Sequence, residues 1–372
     1  MASRRKAQGG DGERRAARIP PRWSLEAIIG HRPVVASLRH QLSTSTLSHA
    51  YWVSGPPQIG KTTLALSVAA ELLSGGEWPG GLLAHPDLWF EDASESIKID
   101  RIRARGSELD AEEGPSLQHF LSLSAFAGAG KVAVIGNAEW LTIEAANSLL
   151  RLLEEPPANT TIWLCTSRPD SEHLPSTIRS RCQQLLLGPV EPNAIAEWLV
   201  GVHQFDSEAA RVAAAVCLGR PGLGLAMARD RDLGRRATEQ LERFAGCAAQ
   251  GPRQWLELSR ELAERGTDRE VARGALRVWA SFLRDCCCQA NGVPELTRWP
   301  DEAELASEWA QWLGPEGCSR RYDLALDALA RLDEKATPRL VLDRFLLLTF
   351  GDVPQGHSGG DRRPVLTAID QR

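Results

Sequence analysis

An α/β domain built on a parallel sheet, followed by helical units, is the fold class that this sequence predicts. Three observations predict it. Residues 55–63 read Gly-Pro-Pro-Gln-Ile-Gly-Lys-Thr-Thr and meet the phosphate-loop spacing of Gly, four residues, Gly-Lys-Thr. Short apolar runs at 50–53, 131–135 and 161–166 alternate with stretches of helical periodicity, as strands and crossover helices do around a parallel sheet. After about residue 188 only helical periodicity with short Gly/Pro breaks remains.

In chain order, residues 1–22 are rich in Arg, Gly and Ala with almost no large apolar side chains, which predicts a disordered basic tail. Residues 28–42 read as a turn and then a helix with Val34, Val35, Leu38 and Leu42 on one face. Ala50-Tyr51-Trp52-Val53 is a short buried strand, and 63–73 an amphipathic helix, so the glycine loop lies between strand and helix as its chemistry requires. Residues 74–83 form a Gly-rich loop, 85–90 a second strand, and 97–109 a helix. Lys131-Val132-Ala133-Val134-Ile135 is a continuous apolar run, typical of a strand buried on both faces. Thr142 can cap the next helix, which ends at Pro156-Pro157, and 161–166 is another buried strand. Residues 192–227, 255–288 and 323–350 are helical stretches, and the polar, Gly-rich end from 351 is a loose tail.

The 372 residues exceed one ordinary core, and 43% hydrophobic with 24% charged residues suits a soluble globular protein. A net charge of −5 argues against a strongly basic nucleic-acid binder. No apolar run reaches the ~18 residues of a membrane span, and no secretion signal follows the N-terminus. The eight cysteines lack paired spacing, which predicts reduced thiols in a cytoplasm. Cys286-Cys287-Cys288 cannot converge on one ion, because adjacent helical residues point about 100° apart. They read as small core residues with at least one exposed thiol.

In the loop, Gly55 and Gly60 allow backbone N–H groups to face an anion beside a helix N-terminus, a place for ATP or ADP. Lys61 would set a charge on the β/γ-phosphates, and Thr62 would offer its hydroxyl to Mg²⁺, with Thr63 beside it. A phosphate-loop ATPase also needs an acid at the end of the second buried strand and a glutamate to activate water. After Ile135 the chain has Gly136-Asn137-Ala138-Glu139, so fast hydrolysis is not expected; only a rescue by Glu139 would supply it. Thr166 and Ser167 could hydrogen-bond a γ-phosphate or simply end their strand. Arg179 and Arg181 are two close guanidiniums, either surface groups or a source of transition-state charge for a neighbouring site. Arg101, Arg103 and Arg105, at roughly helical spacing, are either a solvated face or contacts to DNA phosphates.

Several segments together resemble the clamp-loader ATPases of the AAA+ class, from bacterial DNA polymerase III. They are Ile29-Gly30-His31, His49-Ala50-Tyr51, the loop at 55–63, His85-Pro86-Asp87, the run from Ala145 through Leu153-Glu154-Glu155-Pro156-Pro157, and Leu174-Pro175-Ser176-Thr177-Ile178-Arg179-Ser180-Arg181-Cys182. The resemblance covers about residues 25–190 strongly and the helical remainder weakly. It implies an AAA+ phosphate-loop domain at 23–188, a small helical lid at 189–235, an all-α collar for oligomerisation at 236–350, and tails at 1–22 and 351–372. It also implies that Arg181 is an arginine finger reaching into an adjacent motor subunit, and that Thr166 or Ser167 stands at the first sensor. The implied partners are gamma/tau motor subunits, a delta subunit, the sliding clamp and primed DNA. Motor members carry acids where this chain has Gly136 and Asn137, and a lid arginine where it has Gly222, with Arg220 close by. Residues 74–84 lack the cysteines of the family's zinc module, so no zinc is expected. Lost acids beside a kept finger imply a stator-like, non-hydrolysing subunit; the alternative is an active motor ATPase of the same loader.

Overall fold

In the β-branched and aromatic runs of the N-terminal half, side chains of both parities are apolar, so the strands they form need cover on both faces. The computed structural model, which describes residues 23–73, 78–92, 95–103, 114–126, 130–170, 174–263, 268–334 and 336–351, provides that cover. The chain divides into two compact units, residues 1–188 and 189–372.

The first unit holds five strands: β1 (Ala50–Ser54), β2 (Leu88–Asp92), β3 (Lys131–Gly136), β4 (Thr160–Thr166) and β5 (Gln183–Leu186). They form one sheet in the order β2-β3-β4-β1-β5. Every pairing is parallel. Its main helices are α1 (Arg32–Ser43), α2 (Lys61–Leu72) and α3 (Ile143–Glu154). Trp52, Ala133, Ile135, Ile162 and Leu164 share one apolar cluster with Ala145, Ala146, Leu149 and Leu153 of α3. The helix α2 packs against β3 and β4 and contributes nothing to that cluster, so it covers the other face. There Tyr51 stacks on Trp163 with centroids 4.1 Å apart. Thr142 caps α3, its Oγ1 accepting the Ala145 N–H at 3.2 Å.

Several expectations change in detail. The 97–109 helix is overturned over its described part. Only Ile99–Ile102 is helical, and Arg103 is extended. Arg101, within that short helix, has its guanidinium 2.7 Å from Glu91 and over the Trp89 ring. Arg105 and both tails beyond Gly351 and before Trp23 lie outside the described residues. The helix after the loop is not amphipathic. From Leu64 to Ala70 every residue of α2 is buried, because it is wedged against the sheet. The second strand begins at Leu88, after His85-Pro86-Asp87. The strand β5, with three of four residues exposed, has no apolar run to signal it and exists through pairing with β1.

The second unit is helical: α4 (Pro192–Gly201), α5 (Ser207–Val216), α6 (Pro221–Ala228), α7 (Leu233–Gly246), α8 (Pro252–Ala263), α9 (Asp268–Ala290), α10 (Ala303–Asp333) and α11 (Pro338–Phe350). Within α10 the backbone breaks at Gly314 (φ 67°), before Pro315, which cannot continue the ladder. The stretch 323–350 is therefore the end of α10 plus α11. Its core stacks Phe244 on Trp279 at 5.0 Å and Trp279 on Phe345 at 5.7 Å. Nearby, the buried Asp285 carboxylate accepts the Arg298 and Trp299 N–H groups at 2.7 and 2.9 Å. Of the cysteine triplet, Cys286 and Cys288 are buried and Cys287 is partly exposed, as small core residues on successive helix positions should be.

Candidate functional site

In an open parallel sheet, loops leave the carboxyl ends of the strands and ligands bind outside those ends. Ser54, Asp92, Gly136 and Thr166 are the four residues at those ends of β1 to β4. The register pairs Ser54 with Thr166 and Asp92 with Gly136.

The loop from β1 to α2 depends on its glycines. Gly55 has φ +153°, and a Cβ there would lie 2.4 Å from the Leu187 carbonyl oxygen, so no side chain fits. Gly60, at φ +110°, has open space and needs only glycine's conformational freedom. The helix α2 starts at Lys61, so its first N–H groups, without intrahelical partners, open onto the loop. The Lys61 ammonium is buried and donates to the Gly55 and Pro56 carbonyls, at 2.9 and 2.8 Å, and to Ser167 Oγ at 2.8 Å. Burial lowers its pKa, while Cys165 and Glu139 pull it back up.

The two hydroxyls at the end of β4 part company. Ser167 accepts from Lys61 and donates its N–H to the Glu139 carboxylate at 3.2 Å. Thr166 Oγ1 instead accepts the Arg168 N–H at 3.0 Å and forms a strand-ending turn. Thus Gly55, Gly60, Lys61, Ser167 and Glu139 are brought together, and Thr166 only supports the turn. Thr63 is partly buried one residue further into α2.

On the α2 face of the sheet lies a group that reading the chain by motif does not find. A Cβ at Gly136 would stand 2.7 Å from Asp92 Oδ1 and 3.2 Å from Thr62 Oγ1. Asp92 also accepts from Asn137 Nδ2 at 2.8 Å. The Thr62 hydroxyl bonds the fully buried Cys165, whose thiol burial pushes up to about 12. The signal available in sequence was the acid at the end of the second strand, but its relation to Gly136 exists only through the β2–β3 register.

Arg181 sits elsewhere in the same unit. Its guanidinium donates to the Thr177 carbonyl at 2.8 Å and pairs with Glu154 at 2.7 Å, both partners coming from the segments quoted above. Arg179 lies 3.6 Å from the exposed Asp170. In the helical unit, Arg220 stands just before α6 and its Nε donates to the Cys217 carbonyl at 3.3 Å, with Gly222 inside that helix. Among the described residues, no group of three or more His, Cys, Asp or Glu side chains could hold a metal ion. No helix among them is long and apolar enough to cross a membrane.

The loop's glycine geometry, the open N-terminus of α2 and a charged lysine fit a nucleoside phosphate. Residues 30–191 match the family model "DNA polymerase III, delta subunit". The chain is 28% identical over 316 residues to DNA polymerase III subunit delta' of Escherichia coli, covering 81% of this chain and 86% of that protein. It is 32% identical over 178 residues to the Bacillus subtilis subunit delta', covering 45% of this chain and 50% of that one. A DNA polymerase III gamma subunit-related structure from Thermotoga maritima covers 84% of this chain and 98% of its own at 16% identity, with a TM-score of 0.39. The chain spans most of the first of these relatives and half of the second. Residues 30–191 are thus similar to the DNA polymerase III delta-subunit family, and the chain's longer similarity is to a delta' member.

Proposed function

We propose that this chain is a delta'-type subunit of the bacterial replicative clamp loader, a cytoplasmic stator that binds ATP or ADP with Mg²⁺ but does not hydrolyse ATP. In this reading it joins gamma/tau motor subunits and a delta subunit through its helical collar, and helps them load the sliding clamp onto primed DNA. Its Arg181 enters the ATP site of the neighbouring motor. The observation that carries the reading is the state of Arg181: a guanidinium 35% exposed, held by a carboxylate that is 51% exposed. Such a pair is worth ~0–1 kcal/mol in water. A neighbour's phosphates, with several charges in a drier site, readily outbid it.

The loss of hydrolysis has its own support. At the position expected of a water-activating carboxylate stands the Asn137 amide, and Glu139 is engaged by the Ser167 N–H and the nearby Lys61 charge. A group held in that way is a poor base. The ammonium of Lys61 would exchange its loop carbonyls for phosphate oxygens on binding.

A second reading, an active motor of the gamma/tau kind, is favoured by one finding: a gamma subunit of Buchnera aphidicola is also 29% identical over 210 residues. Turnover by the isolated chain separates the two. The test of the first reading is the reconstituted loader with Arg181→Ala. Clamp- and DNA-stimulated ATP hydrolysis should fall at least tenfold, or about 1.4 kcal/mol of transition-state stabilisation. The ring should remain assembled by light scattering. Unchanged hydrolysis by an intact ring removes the finger, and vigorous hydrolysis by the wild-type chain alone replaces the stator with the motor.

A further inference from the structure

The strand-end position that should carry an acid is Gly136, yet the space its side chain would fill is not empty. Asp92 and Gly136 are direct partners in the parallel β2–β3 ladder, and partners in register carry their side chains on the same face. That face is the one α2 covers, because Ile135 and Trp89, one and three residues back on their strands, belong to the opposite cluster. Having no side chain, Gly136 lets the neighbouring carboxylate lean across, so that Oδ1 comes within 2.7 Å of the missing Cβ. Thr62 Oγ1, the hydroxyl that follows the loop lysine, lies 3.2 Å from the same point. A carboxylate and a hydroxyl therefore flank one small volume at the mouth of the phosphate loop.

We infer that Asp92, reaching across from β2, is the acidic ligand for the divalent cation of a nucleotide held in this loop. The inference rests on the nucleotide-binding part of the proposed function and adds to it which acid serves. Mg²⁺ is suited to such a site. It keeps several waters and needs one or two carboxylates, with substrate phosphates supplying further oxygens. One carboxylate and one hydroxyl from the protein are enough, and a closed three-acid cage is not required. The Asn137 amide, donating to Oδ1 at 2.8 Å, fixes the carboxylate's orientation. The arrangement parts two roles. A metal-holding acid is present, moved one strand over, and the residue that follows Gly136 at the end of β3 is a neutral amide. That combination holds a nucleotide without cleaving it.

The test uses the full chain by itself and measures affinity, not turnover. A fluorescent ADP analogue is titrated in Mg²⁺ and in EDTA, and Mn²⁺ with ADP is followed by its paramagnetic resonance spectrum. Wild-type affinity should be at least tenfold tighter with Mg²⁺. Asp92→Asn keeps the shape and an acceptor for Asn137; it should lose that tenfold while matching wild type in EDTA. Its Mn²⁺ signal should be that of ADP-bound metal free of the protein. Adding Gly136→Asp to Asp92→Ala, which clears the space beside Gly136, returns an acid to β3 and should restore the cation dependence. If Asp92→Asn keeps the full Mg²⁺ effect, or wild type binds ADP equally with and without Mg²⁺, the inference is overturned and the loop reading stands. If wild type binds no nucleotide under either condition, both fall.

Discussion

Gly136→Ala tests the close approach of Asp92 through stability alone. Gly136 is fully within the sheet and has ordinary strand torsions, so alanine should gain ~0.5–1 kcal/mol from the smaller entropy of its unfolded chain. Against this stands a contact. The new Cβ would be 2.7 Å from Asp92 Oδ1, where ordinary contact begins at 3.4 Å, so the carboxylate must retreat about 0.7 Å. Overpacking of this kind costs ~1–3 kcal/mol. Breaking the Asn137–Asp92 hydrogen bond adds about 1 kcal/mol. The single variant should therefore lose about 1–3 kcal/mol net. With Asp92→Ala already in place, the obstacle is gone and Gly136→Ala should be neutral or stabilising by up to ~1 kcal/mol. Urea unfolding of the four chains closes a double-mutant cycle, and the coupling should be about 1–4 kcal/mol. Costs that add within ~0.5 kcal/mol would mean that Asp92 does not occupy the space above Gly136.

Two further perturbations bear on the loop and on the helical unit. Gly55→Ala places a Cβ 2.4 Å from the Leu187 carbonyl at a backbone angle closed to L-residues, so it should cost ~2 kcal/mol or more in chemical unfolding and abolish nucleotide binding. Asp285 is buried, and desolvation raises its pKa from the ordinary 3.8 despite the two N–H donors and the nearby arginines. The folded state then binds more protons than the unfolded one between pH ~3.8 and the raised value, so this group's contribution to stability declines as pH rises through that window. Asp285→Asn, which retains an acceptor for both N–H groups, should remove the decline; an unaltered pH profile of denaturant midpoints would refute the assignment.

The parts of this protein legible in its sequence were those set by local pattern. Continuous apolar runs mark β1, β3 and β4 because both faces of those strands are covered, and Thr142 with Pro156-Pro157 bounds α3 through hydrogen bonding and ring geometry that need no tertiary partner. The phosphate loop was legible because glycines, a lysine and a threonine act within nine residues. The β5 strand was not, since its exposed residues are ordered by an edge of β1. Over the described part of 97–109 the helix spans only Ile99–Ile102, and Arg101 pairs with Glu91, a partner ten residues away. The cation site shows the same division most sharply. From the sequence, Gly136 reads as a missing acid, because a chain is scanned one strand at a time. Only the parallel register sets Asp92 beside Gly136, and only a residue without a side chain leaves its carboxylate room in the space that Thr62 also borders.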